Sequence, residues 1–125
     1  MTQKPKTIFI IDDDELFASC IESAIKKYNK NIPVKTFTNA LDAMDSLTPP
    51  LPALIFLDIL LPGADGFTFL NELTSYPDTA QIPIILVTSL SLPDTDLSIY
   101  GVRGILNKET MKPHEVTDYV HRLVK

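Results

Sequence analysis

Glycine is scarce in this chain of 125 residues: there are 4, at Gly63, Gly66, Gly101 and Gly104. Neither G-x-G-x-x-G nor G-x-x-x-x-G-K-[ST] can be built from those positions, so both standard glycine-rich phosphate cradles are excluded. Tryptophan is absent, and the one cysteine, Cys20, cannot form an internal disulfide. No apolar run approaches the ~20 residues needed to span a bilayer. The opening Met1-Thr2-Gln3-Lys4-Pro5-Lys6 is polar and lacks the apolar stretch of a signal peptide. These absences predict a reducing, cytoplasmic setting without membrane insertion. Positive charge is also short: Lys+Arg 11 against Asp+Glu 16 leaves a net charge of −5. Such a surface repels phosphate backbones and anionic lipid, which argues against direct nucleic-acid binding.

What remains is globular. Hydrophobic residues make up 45% and charged residues 22%, near the globular average. The length allows one domain, expected over residues 1–125, burying roughly two thirds of its unfolded surface.

Ile8-Phe9-Ile10-Ile11 is continuous and apolar, as in a parallel strand covered on both faces. It stops at Asp12-Asp13-Asp14-Glu15. Leu16, Phe17, Cys20, Ile21, Ala24, Ile25 and Tyr28 then recur at helical steps, predicting an amphipathic helix with Cys20 on its inner, inert face. Val34–Phe37 alternates and reads as an edge strand. Thr38 or Asn39 caps a second helix with Ala40, Leu41, Met44 and Leu47 inward. Ala53–Leu57 is a buried strand running into Asp58. An apolar turn, Ile59 to Gly66, leads to a helix through Phe67, Leu70 and Leu73. Ile82–Val87 is a buried strand ending in Thr88-Ser89, and Pro93-Asp94 opens a short helix carrying Leu97 and Tyr100. Gly104–Asn107 is a last strand ending at Lys108. Pro113 begins a last helix with Val116, Tyr119, Val120, Leu123 and Val124 inward. Five strands alternating with five helices predict an α/β fold, a flavodoxin-like (βα)5 doubly wound parallel sheet of order 2-1-3-4-5.

The polar residues just past the strand ends are Asp12 and Asp13, Asp58, Thr88 and Lys108. Open α/β sheets bind ligands at those ends, where the winding reverses. Neighbouring strands ~4.8 Å apart force the three acids together, and their repulsion is relieved by a divalent cation, for which oxygen ligands suit Mg²⁺. A carboxylate there can attack a phosphoryl group, whose oxygens the cation, the Lys108 ammonium and the Thr88 hydroxyl neutralise.

Ile10-Ile11-Asp12-Asp13, Leu57-Asp58-Ile59-Leu60-Leu61-Pro62-Gly63-Ala64-Asp65-Gly66-Phe67, Val87-Thr88-Ser89 and Gly104-Ile105-Leu106-Asn107-Lys108 together closely resemble two-component response-regulator receiver domains, the single-domain, chemotaxis-regulator-like kind. The resemblance covers essentially the whole chain. It implies that Asp58 is the phosphoacceptor and modified residue. Asp12, Asp13, Asp58 and the Leu60 backbone carbonyl would hold Mg²⁺. Thr88 would hydrogen-bond the phosphoryl group and shift on activation, and Lys108 would pair with it. The implied donor is a sensor histidine kinase or a histidine phosphotransfer protein. The implied output is docking to a downstream protein or relay of the phosphoryl group, with no independent substrate turnover.

Three departures stand out. Glu109 follows Lys108, where receivers usually carry proline. Ile105 occupies a switch position that is commonly aromatic. The segment from Thr88 to Gly101 is short and contains Pro93, predicting an abbreviated fourth helix. Ile105 and Glu109 support one alternative, a receiver-like module that binds partners without switching. Asp12-Asp13-Asp14 supports another, a haloacid-dehalogenase-type phosphatase using Asp12, although Glu15 replaces the residue usual there and no late acidic pair follows Lys108. Asp14 and Glu15 read as helix-capping acids, and His114 and His121 as ordinary helix residues.

Overall fold

The structure is a computed structural model describing residues 6–61, 66–89 and 97–124. Five parallel strands, β1 (Ile8–Ile11), β2 (Val34–Phe37), β3 (Leu54–Asp58), β4 (Ile84–Thr88) and β5 (Val102–Asn107), form one sheet in the order β2-β1-β3-β4-β5. Four α-helices flank it: α1 (Glu15–Tyr28), α2 (Ala40–Asp45), α3 (Gly66–Thr74) and α4 (Pro113–Leu123). Single 3₁₀ turns at Thr79–Gln81 and Ser98–Tyr100 lead into β4 and β5. The expected sheet is the observed one.

Continuous apolar runs become central strands because both faces of each are covered. Every residue of β1, β3 and β4 is buried. Alternate side chains feed two cores, as the two-residue period of a strand requires. Phe9, Ile11, Ile55, Leu57, Ile84 and Leu86 pack on the side of α2 and α3. Ile8, Ile10, Leu54, Phe56, Ile85 and Val87 pack on the side of α1 and α4. Edge strand β2 departs from the expected alternation: the adjacent Lys35 and Thr36 are both exposed, because an edge strand is open to solvent on both faces there.

Helix starts follow their caps. The Phe17 N–H donates to Asp14 Oδ1 at 3.1 Å, and the Asp42 N–H to Asn39 Oδ1 at 2.9 Å. Lys26 and Lys27 occupy the last turn of α1, where cations suit the helix dipole.

The inward faces differ in rotation from the expected ones. On α1 the buried residues are Ala18, Ile21, Ala24 and Ile25, whereas Leu16 is 79% exposed, Cys20 is exposed and Tyr28 is half-exposed. Leu41 is likewise exposed while Ala43 is buried, and Phe67 is more open than Phe69. Periodicity groups residues onto a face, but packing against the sheet sets how far that face is rotated. Ala18 and Ala43 face the cores, and the larger Leu16, Cys20 and Leu41 lie outside them.

On β5, a Cβ at Gly104 would collide with the Tyr119 hydroxyl, so α4 sits flush on that strand. The helix expected from Pro93 falls on residues 90–96, outside the described residues, as do Pro62 to Asp65 of the apolar turn. No helix among the described residues is long and apolar enough to cross a membrane.

Candidate functional site

Strand register brings the candidate residues to one edge of the sheet. Ile11, the last residue of β1, lies opposite Leu57, so Asp12 follows it beside Asp58 at the end of β3. Asp58 lies opposite Val87 of β4, and Thr88 opposite Asn107 of β5. The residue after each partner therefore continues the row: Thr88, then Lys108.

One carboxylate oxygen each from Asp12, Asp13 and Asp58 fall within 4.8 Å of one another. Asp12 and Asp58 are 2% and 5% exposed, and Asp13 is exposed, closing the cluster on its solvent side. Each buried acid has one oxygen held locally: the Asp14 N–H donates to Asp12 Oδ1 and the Leu60 N–H to Asp58 Oδ1, both at 2.9 Å. The other oxygen of each faces Lys108, whose Nζ lies 2.8 Å from Asp12 Oδ2 and 3.1 Å from Asp58 Oδ2. The contact to Asp12 Oδ2 is an ion pair outside hydrogen-bond geometry, so this buried oxygen has charge compensation but no directed donor. Three acids and one ammonium leave the cluster net negative. That donor set, with an under-satisfied buried oxygen, fits a small oxygen-seeking divalent cation.

Burial pushes the Asp12 carboxyl above its ordinary range; the Lys108 contact and the Asp14 N–H pull it back only in part. Burial opposes the Lys108 charge as well, but its bonds to Asp12 and Asp58 together outweigh that and raise the ammonium above its ordinary value. A carboxyl raised in the fold lends stability that is fully present below the unfolded value of ~3.9 and is lost as pH rises through the folded one. Ionised Asp12 is therefore a burden at neutral pH. Without divalent cations, Asp12→Asn is expected to melt on the order of a few degrees higher at pH 7, with the advantage vanishing below pH 4. Calorimetry across that range checks it, and an unchanged or lower melting temperature at pH 7 contradicts it.

Thr88 is buried, and its carbonyl accepts the Lys108 N–H at 2.9 Å. Leu60 presents its N–H to Asp58, while its side chain is exposed. Beyond Lys108 the chain turns tightly. Asn107 Oδ1 accepts the Glu109 N–H at 2.8 Å, and the Asn107 carbonyl accepts from Thr110 and Met111. A proline at 109 could not make the first of these bonds, so Glu109 belongs to a different turn, signalled by an asparagine at a strand end. Lys112-Pro113 begins α4 and takes no part in the strand. Sequence reasoning passed over two residues here. One is Asn107. The other is Phe17, whose ring centroid lies 4.8 Å from Lys108 Nζ; helical spacing marked it as apolar but carried no sign of its neighbour 91 positions later. Ile105 is half-exposed on β5.

Known proteins resemble this chain over most of its length. The family model for the response regulator receiver domain matches residues 8–121. Response regulator PleD of Caulobacter vibrioides is 32% identical over 83 residues, covering 66% of this chain and 18% of the relative. Response regulator Rre1 of Synechocystis sp. is 25% identical over 123 residues, covering 97% and 52%. The chain thus spans about half or less of the length of these curated relatives. Among solved structures, the signal receiver domain of a DNA binding response regulator protein from Colwellia psychrerythraea superposes with a TM-score of 0.79. It is 26% identical, with 96% of this chain and 99% of that chain covered.

Proposed function

We propose that this chain, which belongs to the response regulator receiver domain family of two-component signalling, accepts a phosphoryl group on Asp58. Receiver domains take phosphoryl groups from histidine kinases and are generally not substrate-turning enzymes. The donor in our reading is a sensor histidine kinase or a histidine phosphotransfer protein, acting in the cytoplasm. The observation that carries the assignment is the placement of Asp58. It is the one acid of the cluster with an oxygen held by Leu60, the other by Lys108, and two further carboxylates beside it.

In the reaction a P–O bond forms from an Asp58 oxygen as the P–N bond to the donor imidazole breaks. Leu60 N–H fixes one oxygen, which leaves Oδ2 as the attacking atom. Lys108 then exchanges its carboxylate contact for the arriving phosphoryl oxygens, and the Thr88 hydroxyl donates to another of them. Asp12, Asp13, Asp58 and the Leu60 carbonyl would hold Mg²⁺, which when bound neutralises charge on the transferring group. The product adds about −1.5 to −2 charge at the edge between β3 and β5, and this charge biases a surface that docks a downstream protein. A direct nucleic-acid contact remains disfavoured by the net charge of −5.

Family membership argues against the phosphatase reading. A module that docks without switching is favoured by one observation, the half-exposed aliphatic Ile105 at the switch position. Its mark would be phosphoryl uptake with no change in the β5 amide spectrum.

Intact mass spectrometry after incubation with acetyl phosphate and Mg²⁺ tests the assignment. One phosphoryl gain is expected, abolished by Asp58→Asn. No gain in the wild type, or a gain that survives the substitution, overturns it.

A further inference from the structure

We infer that Phe17 is a positioning residue for Lys108, an aromatic plate that keeps the ammonium aimed at Asp58; this rests on the phosphoacceptor reading above. Lysine is a poor aiming device by itself, because its four-carbon stem is flexible and its ammonium carries no preferred plane. Here the head group is confined from several sides. Asp12 and Asp58 hold it at 2.8 and 3.1 Å. The Phe17 face lies 4.8 Å away, within the ~6 Å range of cation–π attraction. At the base of the stem, the Lys108 N–H is bound to the Thr88 carbonyl, and the Asn107 turn sets the chain direction.

Of the groups that face the ammonium, the ring takes no part in the chemistry on Asp58. When a phosphoryl group occupies Asp58, Lys108 exchanges its Asp58 contact for the new oxygens, and that carboxylate no longer guides it. Phe17 is held apart from that exchange. Its backbone N–H is tied to the cap Asp14, and its side chain packs on the core beneath α1. The face thus gives the ammonium a fixed partner before and after transfer, limiting the arc the stem explores. Because Phe17 touches no reacting atom, its effect passes through Lys108.

Phe17→Leu keeps apolar bulk and removes the π face, whereas Phe17→Tyr keeps the face. Phosphoryl uptake from acetyl phosphate with saturating Mg²⁺ is expected to be about three- to tenfold slower in Phe17→Leu and near wild type in Phe17→Tyr. The Lys108 ε-methylene protons should resonate upfield in wild type and Phe17→Tyr through the ring current, and return to the ordinary lysine position in Phe17→Leu. Melting curves of the three proteins identify any variant that fails to fold. Phe17→Leu as fast as wild type, Phe17→Tyr as slow as Phe17→Leu, or wild-type ε-protons without the upfield shift overturns the inference. A wild type that takes up no phosphoryl group overturns the functional reading instead, and the ε-proton shift still decides whether Phe17 aims the ammonium.

Discussion

Lys108→Ala is expected to slow phosphoryl uptake on Asp58 by about 10²–10³-fold, the usual cost of removing one preorganised charge that faces a developing anion. The loss should fall on the rate at saturating Mg²⁺, because three carboxylates remain to hold the cation. The same substitution should show a distinctive pH dependence of stability. In the wild type, Lys108 partly offsets the burial that raises the Asp12 carboxyl. Without the ammonium, the buried Asp12 loses its compensating charge beside Asp58, and the Asp12 carboxyl rises further. Stability of the variant relative to wild type should therefore be nearly unchanged below pH 4 and should decline as pH rises toward 7 and Asp12 ionises. Removing one partner from a buried charge cluster leaves the others uncompensated, at up to about 3–5 kcal/mol for full burial and less here, since Lys108 and Asp13 reach solvent. Millimolar Mg²⁺ should restore much of the loss, because a ligand that binds only the folded state stabilises it. Urea unfolding at pH 4 and pH 7, with and without Mg²⁺, together with the uptake rate, checks this. A rate within threefold of wild type, or a loss of stability that does not vary with pH, would contradict it.

The second large effect is expected at Gly66. A Cβ there would stand 2.6 Å from Ile59 Cα, 3.0 Å from the Ile59 carbonyl oxygen and 3.1 Å from that of Asp58. All three are backbone atoms, and the Gly66 N–H is itself bound to the Ile59 carbonyl at 3.0 Å. Helix propensity alone would make Gly66→Ala favourable by ~1 kcal/mol. The collision opposes this with no flexible side chain to yield, and overpacking of this kind costs about 3 kcal/mol. Net destabilisation of about 2 kcal/mol follows from the two figures. Because the displaced atoms adjoin Asp58, uptake should fall as well. Gly104→Ala is the internal comparison: its Cβ meets the end of the Tyr119 side chain, which can rotate away from β5. Its cost should be about half that of Gly66→Ala or less. Equilibrium unfolding of the two variants decides the matter. A Gly66→Ala protein as stable as wild type would show that the α3 start can shift away from the Asp58 loop.

Much of this could be read from residue order. Apolar runs ending in acids or threonine marked β1, β3 and β4, because a strand covered on both faces has no room for polar alternation. Strand β5, with Arg103 and Ile105 exposed, was legible only as the short strand Gly104–Asn107 before Lys108. Asp14 and Asn39 announced their helices through cap chemistry that acts within three residues. Asp12, Asp13, Asp58, Thr88 and Lys108 were recognisable because each follows a strand, and a parallel sheet presents all such ends on one edge.

Other features lay beyond that reach. The outward turn of Leu16, Cys20 and Leu41 depends on how α1 and α2 are rotated against the sheet, with Ala18 and Ala43 inward. The aromatic plate beneath Lys108 joins residues from α1 and from the end of β5. No local pattern encodes such a meeting. Glu109, at first sight a simple departure, acquires its meaning from the hydrogen bond its N–H makes to Asn107.

Sequence by itself determined the strand set, the caps and the identity of the acid cluster, since these follow from short-range periodicity and from the chemistry of residues at strand ends. Tertiary structure alone decided which helix faces turn inward, which oxygen of Asp58 the Leu60 N–H holds and which faces Lys108, and what surrounds the Lys108 ammonium. Those depend on distances between segments far apart in the chain, and such distances are set by packing two layers of helices onto one sheet.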